Sequence, residues 1–371
     1  MTIGSVISFT TLEAFADRAT HLIDVRAPIE FAKGALPGAV NLPILNDDER
    51  QRVGACYKHS GPESAIELGN RLVSGDIRAQ RLSAWCEFLA EHPEALLYCF
   101  RGGLRSQIAQ RWINDAGVPC DIIRGGYKSI RQLFLDRLTL LSQQLPLTVI
   151  GGRTGTGKTE LLQQLPATID LEALALHRGS SFGGLLEEQP SNIDFEHAVC
   201  LGYLNAQTQG YQRVFVEDEA RMVGRVCIPE PVRLAMQTAP LVLVEAPLAL
   251  RVENILRVYI EELCKLYQQR EGVENGFKGF VNHHIAALHK VEKRLGGQNT
   301  KHALDLFNAA AHDYRLQADP DVFSDYVSFL LTRYYDPMYD YQIGKKLSRV
   351  TYSGSRTDVL NWCLDRETLL A

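Results

Sequence analysis

Gly152-Arg-Thr154-Gly155-Thr156-Gly157-Lys158-Thr159 satisfies G-x-x-x-x-G-K-[ST] at every fixed position. The pattern dictates local architecture as well as chemistry. Its glycines let the backbone curl so that successive N–H groups point inward, and the positive end of a following helix adds to that field. Lys158 then reaches the outer phosphate oxygens, and the Thr159 hydroxyl suits Mg²⁺. Such a loop works only between a strand and a helix. The apolar run 147–150 and the segment 158–165 supply them. Val214-Phe-Val216 runs into Glu217-Asp218-Glu219, an apolar strand with the acidic tip that orients Mg²⁺ beside such loops. Asp218 is the candidate for Mg²⁺, with the choice among the three adjacent acids left open. The loop recognises a polyphosphate, which need not be ATP or GTP.

A second segment has the marks of a reactive thiol. Tyr98-Cys99-Phe-Arg101-Gly102-Gly103-Leu-Arg105-Ser106 follows a short apolar run, 95–98, and leads into helical periodicity over 104–116. A cysteine at a strand end, before a glycine loop and a helix, lies where backbone N–H groups converge. Gly102 and Gly103 are the candidates for an anion cradle, and Arg101 and Arg105 add positive charge that favours a nucleophilic sulfur. Such a sulfur suits a persulfide or perselenide. Two glycines and two arginines make a poor apolar core, so a merely structural thiol fits this position badly.

The remaining cysteines read differently. Eight cysteines in 371 residues form no C-x-x-C pair, which excludes a zinc-ribbon or secreted disulfide framework. Most are expected to pack as small apolar groups in a reducing cytoplasm. The N-terminal MTIGSVISFTTLEAF lacks the basic flank and apolar run of a secretory signal. No stretch approaches the roughly 18 apolar residues of a membrane helix. A formal net charge of -5 argues against indiscriminate nucleic-acid binding, but not against a local basic face.

Along the first third, short apolar runs alternate with helical periodicity. Thr10 and Glu13 have capping-box spacing. Leu22 and Ile23 read as a strand ending at Asp24, residues 62–90 as helical, and 120–123 as another strand closed by Gly125-Gly126. Alternating strands and helices predict a parallel sheet covered on both faces. A helical segment, 127–144, ends before Pro146. Beyond it, 213–216 and 241–245 read as strands, and the chain after Pro247 is mostly helical.

Asp24-Val-Arg26-Ala-Pro-Ile-Glu30-Phe31, Gly34-Ala-Leu-Pro37-Gly38-Ala-Val-Asn41-Leu-Pro43, the cysteine loop and Arg124-Gly-Gly126-Tyr127 together resemble the rhodanese family. Five residues separate Cys99 from Arg105, against four in common single-domain rhodaneses, so a wider pocket is expected. The resemblance implies an N-terminal rhodanese-like doubly wound parallel sheet over residues 8–135. A helical connector, 136–146, leads to a P-loop NTPase-like α/β domain over 147–371, with a helical C-terminal part.

The pairing of YCFRGGLRS with GGRTGTGKT resembles the tRNA 2-selenouridine synthase family over the whole chain. His177-Arg-Gly-Ser-Ser-Phe-Gly183 and Tyr334-Tyr-Asp-Pro-Met-Tyr339 support it. That resemblance implies replacement of sulfur by selenium in wobble 2-thiouridine of tRNA. Selenophosphate, from a selenophosphate-supplying enzyme, is the donor, and geranyl diphosphate alkylates the thio group first. Cys99 would carry selenium as an S-selanyl adduct. Whether the P-loop takes a nucleotide or a prenyl diphosphate stays open. Arg124, Lys128 and Arg131 are the first candidates for tRNA contact, followed by Lys290, Lys293, Arg294 and the Lys345-Lys346-Arg349 group. Tyr334, Tyr335, Tyr339 and Tyr341 are candidates for base stacking. His283, His284 and His289 lack metal-ligand spacing, and no structural metal is expected. Two rivals remain. One is a phosphatase with Cys99 as nucleophile and Arg105 as clamp, since C-x5-R is also cysteine-phosphatase spacing. The other is a non-catalytic, NTP-dependent regulatory switch.

Overall fold

The computed structural model describes residues 4–368. The chain divides into two compact units, one formed by the residues up to Leu140 together with Ser191–Cys200, the other by Leu141–Pro190 and the residues from Leu201 onward.

The first unit is built on five parallel strands, β1 Val6–Ile7, β2 Leu22–Asp24, β3 Ala39–Asn41, β4 Leu96–Tyr98 and β5 Asp121–Ile123. Their order is β1-β5-β4-β2-β3. Every side chain of β2 and β4 is buried, as central strands of a sheet covered on both faces require. One face packs Ile23, Leu97, Trp85, Ile113 and Ile122 into a core. The Trp85 indole N–H donates to the Leu42 carbonyl at 2.9 Å, which satisfies its polar end.

Helical boundaries depart from the sequence reading in two places. The first helix, Leu12–Arg18, is capped by Thr11 rather than Thr10, with the Ala14 N–H donating to the Thr11 hydroxyl at 3.2 Å. The helical region expected over 62–90 begins much earlier. It forms two helices, Asp47–Leu72 and Gly75–Glu91, and the first turns sharply where Gly61 takes φ +84° before Pro62. Residues 47–60 place few apolar side chains at helical spacing, so periodicity did not reveal them. Asn46 and Glu49 cap this helix reciprocally.

The second unit has a five-stranded parallel sheet in the order β12-β11-β6-β8-β7. Its strands are β6 Leu147–Gly151, β7 Thr168–Ile169, β8 Val214–Glu217, β11 Leu241–Val244 and β12 Val350–Gly354, while Met222–Val223 (β9) and Val226–Cys227 (β10) form a separate hairpin. Residues beyond Pro247 are mostly helical and gather round Phe280, Phe307, Phe323 and Tyr326. The chain then returns to the sheet as the edge strand β12, a turn the helical periodicity of this region did not announce. Two π-helical stretches, Leu256–Glu262 and Leu331–Tyr335, interrupt these helices. Among the described residues no helix is long and apolar enough to cross a membrane.

Candidate functional site

The Asp24-Val-Arg26 segment is a buried ion pair. The Arg26 guanidinium donates to both Asp24 oxygens, at 2.8 Å and 2.6 Å to Oδ2, and to the Gly34 carbonyl at 2.9 Å. Its face lies 4.0 Å from the Tyr127 ring centroid. Asn41 bridges the carbonyls of Asp24 and Arg26 at 3.0 and 2.9 Å. These residues belong to the sequence pattern, and their work is to lock the ends of β2 and β3 together.

Cys99 follows β4 directly and is 3% exposed. Its carbonyl accepts from the Tyr127 N–H at 2.9 Å, and the Phe100 carbonyl accepts from Lys128 at 2.9 Å, so the two loops interlock. At two places here glycine is required by close backbone approach. Gly102 takes φ +63°, and a Cβ there would come within 2.7 Å of the Gly125 nitrogen. Gly126 takes φ +56°, and a Cβ would come within 2.2 Å of the Cys99 carbonyl oxygen. Gly103 meets no such restriction: nothing lies within 4 Å of an added Cβ.

The hydrogen-bond partners of the Cys99 sulfur are the Ser106 hydroxyl at 3.2 Å and the Gly103 carbonyl at 3.8 Å. Ser106 is buried and donates to the same carbonyl at 3.0 Å. Its position one turn into helix Leu104–Asp115 points it back at the strand end. The arginines are placed otherwise. Arg105 donates to Glu30 at 2.5 and 3.2 Å, and Arg50 stands 3.6 Å from the same carboxylate. That pairing, opposing the cost of burial, holds the Glu30 carboxyl below its ordinary range. Arg101 is exposed, 5.8 Å from the Phe100 ring centroid. Arg124 and Lys128 are exposed, while Arg131 pairs with Glu196. Glu30 stood in the motif without an assigned role, as did Ser106; a hydroxyl seven residues after a loop cysteine was the available signal.

In the second unit the phosphate loop joins β6 to the helix Lys158–Leu162. Gly152, Gly155 and Gly157 all take positive φ, and a Cβ on Gly152 would lie 2.5 Å from the Val244 carbonyl oxygen. The Thr156 hydroxyl donates to the Arg153 carbonyl at 2.9 Å. Lys158 curls back over the loop, donating to the Gly152 and Arg153 carbonyls at 3.0 and 3.3 Å. The loop is braced by residues that its motif does not contain. Arg251, 2% exposed, donates to the Thr154 carbonyl at 2.8 Å and to Asp336 at 3.1 and 2.6 Å. Asn254 donates to the Gly155 carbonyl at 2.8 Å. An arginine inside the apolar stripe Leu-Ala-Leu-Arg251-Val was the sequence signal for this brace.

A cavity of about 480 Å³ opens over the loop, lined by Lys158, Thr159, Glu172, Arg178, Arg257 and Tyr339 among others. Thr154, Ile255 and Tyr259 also line an adjoining small cavity of about 30 Å³, walled by Phe182, Ile260, Leu330 and Leu331. A phosphate cradle therefore abuts apolar walls. The π-helical turn at Leu256–Glu262 shapes both: its carbonyls at Val258 and Tyr259 accept from Arg178 at 2.6 Å and His284 at 3.1 Å.

The acids at the tip of β8 have separate environments. Asp218 gives both oxygens to Lys346 at 2.7 Å. Glu217 is buried and accepts from the Glu172 N–H at 2.6 Å, and burial pushes its carboxyl well above the ordinary range. Glu219 shares a hydrogen bond with Glu172; burial and the neighbouring carboxylate push Glu219 up to about 8. The carboxylates that line the cavity with Lys158 and Thr159 are those of Glu160, Asp170, Glu172 and Glu262, and Asp218 is not among its lining residues.

Tyr334 and Tyr335 are buried in the helical core, whereas Tyr341 is exposed. His284 is buried between Tyr326 and the Tyr259 carbonyl, and His283 contacts the Phe182 carbonyl at 3.0 Å. Lys290, Lys293, Arg294 and Lys345 are exposed. Arg349 donates to the Gln237 carbonyl at 2.7 Å.

A cysteine loop on one parallel sheet and a phosphate loop on another define a rhodanese-like unit and a P-loop unit in a single chain. Comparison with known proteins agrees. The rhodanese-like domain profile matches residues 10–133, and that of the tRNA 2-selenouridine synthase AAA domain matches residues 145–369. The chain belongs to the tRNA 2-selenouridine synthase family. It is 43% identical to a tRNA 2-selenouridine synthase of Marinobacter nauticus, over 93% of this chain and 94% of that one. Those of Pseudomonas syringae pv. syringae and Pseudomonas fluorescens are 44% and 45% identical, with the same coverage.

Proposed function

We propose that this protein is a tRNA 2-selenouridine synthase that works in two steps on a wobble 2-thiouridine. The observation that carries the reading is the union, in one chain, of a loop cysteine hydrogen-bonded by a buried serine and a phosphate cradle adjoining apolar walls. Full-length similarity to proteins bearing that name supports it.

In the first step the P-loop amides and Lys158 bind geranyl diphosphate. Thr159 and Glu172 suit a divalent cation, which supplies charge neutralisation when bound. The thio sulfur of the base attacks C1 of the geranyl group, the C–O bond breaks and diphosphate leaves. In the second step selenium bonds to C2, the C2–S bond breaks and geranylthiolate leaves. Selenium from selenophosphate enters at the selenide level, its P–Se bond being cleaved by water to release phosphate. Loading Cys99 as an S-selanyl adduct oxidises the sulfur–selenium pair by two electrons, which a disulfide accepts. After transfer a thiol cleaves the S–Se bond, and a second thiol restores Cys99 and the disulfide. Exposed Arg124 and Lys128 are available for tRNA phosphates.

Full-length similarity to the family favours this reading over a cysteine phosphatase, which would leave the P-loop unit without a role. Nucleoside mass spectrometry tests it. Cys99→Ala should abolish selenium incorporation and accumulate S-geranyl-2-thiouridine, while Lys158→Ala should block geranylation. Undiminished selenation by Cys99→Ala would refute the assignment.

A further inference from the structure

The first unit holds a cavity of about 850 Å³ that the chemistry above does not use. Its size falls in the roughly 300–1,000 Å³ range of small-molecule sites. The cavity exists because the helix Asp47–Leu72 turns small residues toward it: Gly54, Ala55 and Ala65 line it, and a Cβ built on Gly54 meets no atom within 4 Å. Its other walls include Leu45, Ile66, Ile108 and Trp112. Large apolar groups remain open to solvent at this place, with Tyr57 60%, Leu104 53% and Ile66 38% exposed. Clustered exposure of that kind marks a surface that a ligand covers.

Two features say which ligand. Leu104 and Arg105, the first two residues of the helix that follows the Cys99 loop, line the cavity, so an occupant would lie next to the end of that loop. Arg50, Lys58 and Arg105 line it with only Glu30 to offset them, so apolar walls and cationic groups suit a hydrocarbon chain attached to a polyanion. The geometry points to this cavity as the seat of the S-alkyl chain of the modified tRNA base, held there while selenium replaces the alkylthio group. The inference rests on the two-step reading above. It makes the rhodanese-like unit selective for the alkylated base, since an unmodified thiouridine leaves the apolar walls wet.

The test is equilibrium binding of the nucleosides S-geranyl-2-thiouridine and S-methyl-2-thiouridine to the whole protein. The wild type should prefer the geranyl nucleoside at least tenfold. Gly54→Leu, which fills the cavity from an unobstructed helical position, should erase that preference, and Gly54→Ala should reduce it less. Neither should lower the melting temperature, because both replace a helical glycine with a better helix former. An undiminished geranyl preference in Gly54→Leu, or no preference in the wild type, would overturn the assignment. A parallel assay follows conversion of pre-geranylated tRNA with selenophosphate. Failure of the wild type there sinks the reaction scheme, whereas retained preference in Gly54→Leu sinks the cavity assignment alone.

Discussion

Within the cysteine loop, adjacent glycines have unlike duties. Gly102 holds a left-handed conformation against the Gly125 backbone, whereas Gly103 has an extended backbone and open space around it. Gly102→Ala should therefore destabilise the protein by about 1–3 kcal/mol through local strain, and Gly103→Ala should stay within about 0.5 kcal/mol of the parent. Denaturant midpoints of the two variants check this, and equal losses would show that the loop is not held as described. The motif made both glycines visible but could not rank them, because φ and neighbouring backbone are set by the interlocking 124–128 segment. Arg105 shows the same gap. Its spacing from Cys99 is plain in the chain, yet its partner, Glu30, lies 75 residues earlier.

Elements decide how rigid the phosphate loop is. Helix Leu248–Ile255 places Arg251 beneath the loop, where one buried guanidinium ties the Thr154 carbonyl to Asp336. Arg251→Met should cost about 3–5 kcal/mol, because it leaves a loop carbonyl and a carboxylate without their partner. The expected readouts are a lowered denaturant midpoint and, on the proposed function, at least tenfold weaker binding of geranyl diphosphate. Unchanged affinity would mean that the loop keeps its shape unaided. The strand and helix flanking the loop were legible, since the motif demands both. The brace was not, because it joins positions 97 residues apart. Helix Asp47–Leu72 was half legible: its apolar periodicity starts only after Gly61, and its earlier turns are specified by the Asn46–Glu49 cap.

At the scale of the whole molecule, each unit buries one neutral histidine. Burial, reinforced by Arg131, pushes His197 down to about 3, and burial does the same to His284, also to about 3. Unfolding returns each to its ordinary value of about 6.5. Their folded values are depressed, so the stability they confer is complete above pH 6.5 and is lost as pH falls toward 3. Each contributes a slope of roughly 1.4 kcal/mol per pH unit within that window. Glu217 and Glu219, whose folded values are raised, act with the opposite sign down to the ordinary carboxyl range, so the histidine share is read by difference: the stability advantage of the wild type over His284→Gln should shrink as pH falls from 7 to 4. A difference between the two proteins that does not change with pH would show that His284 is not held neutral.

Two loops and their flanking strands could be read from residue order alone, because the chemistry of each needs neighbours in the chain: glycines to curl, a cation to follow, a strand before and a helix after. From that came two parallel sheets, a thiol and a phosphate cradle. Tertiary structure alone decided which side chains meet those loops. Ser106 at the sulfur, Glu30 on Arg105, Arg251 under the cradle and Lys346 on Asp218 are contacts set by packing. The same holds for the cavity beside Gly54, which exists through the path of a helix and has no motif. Hydrogen bonds and apolar contacts between distant segments depend on how elements dock, and no local pattern encodes that.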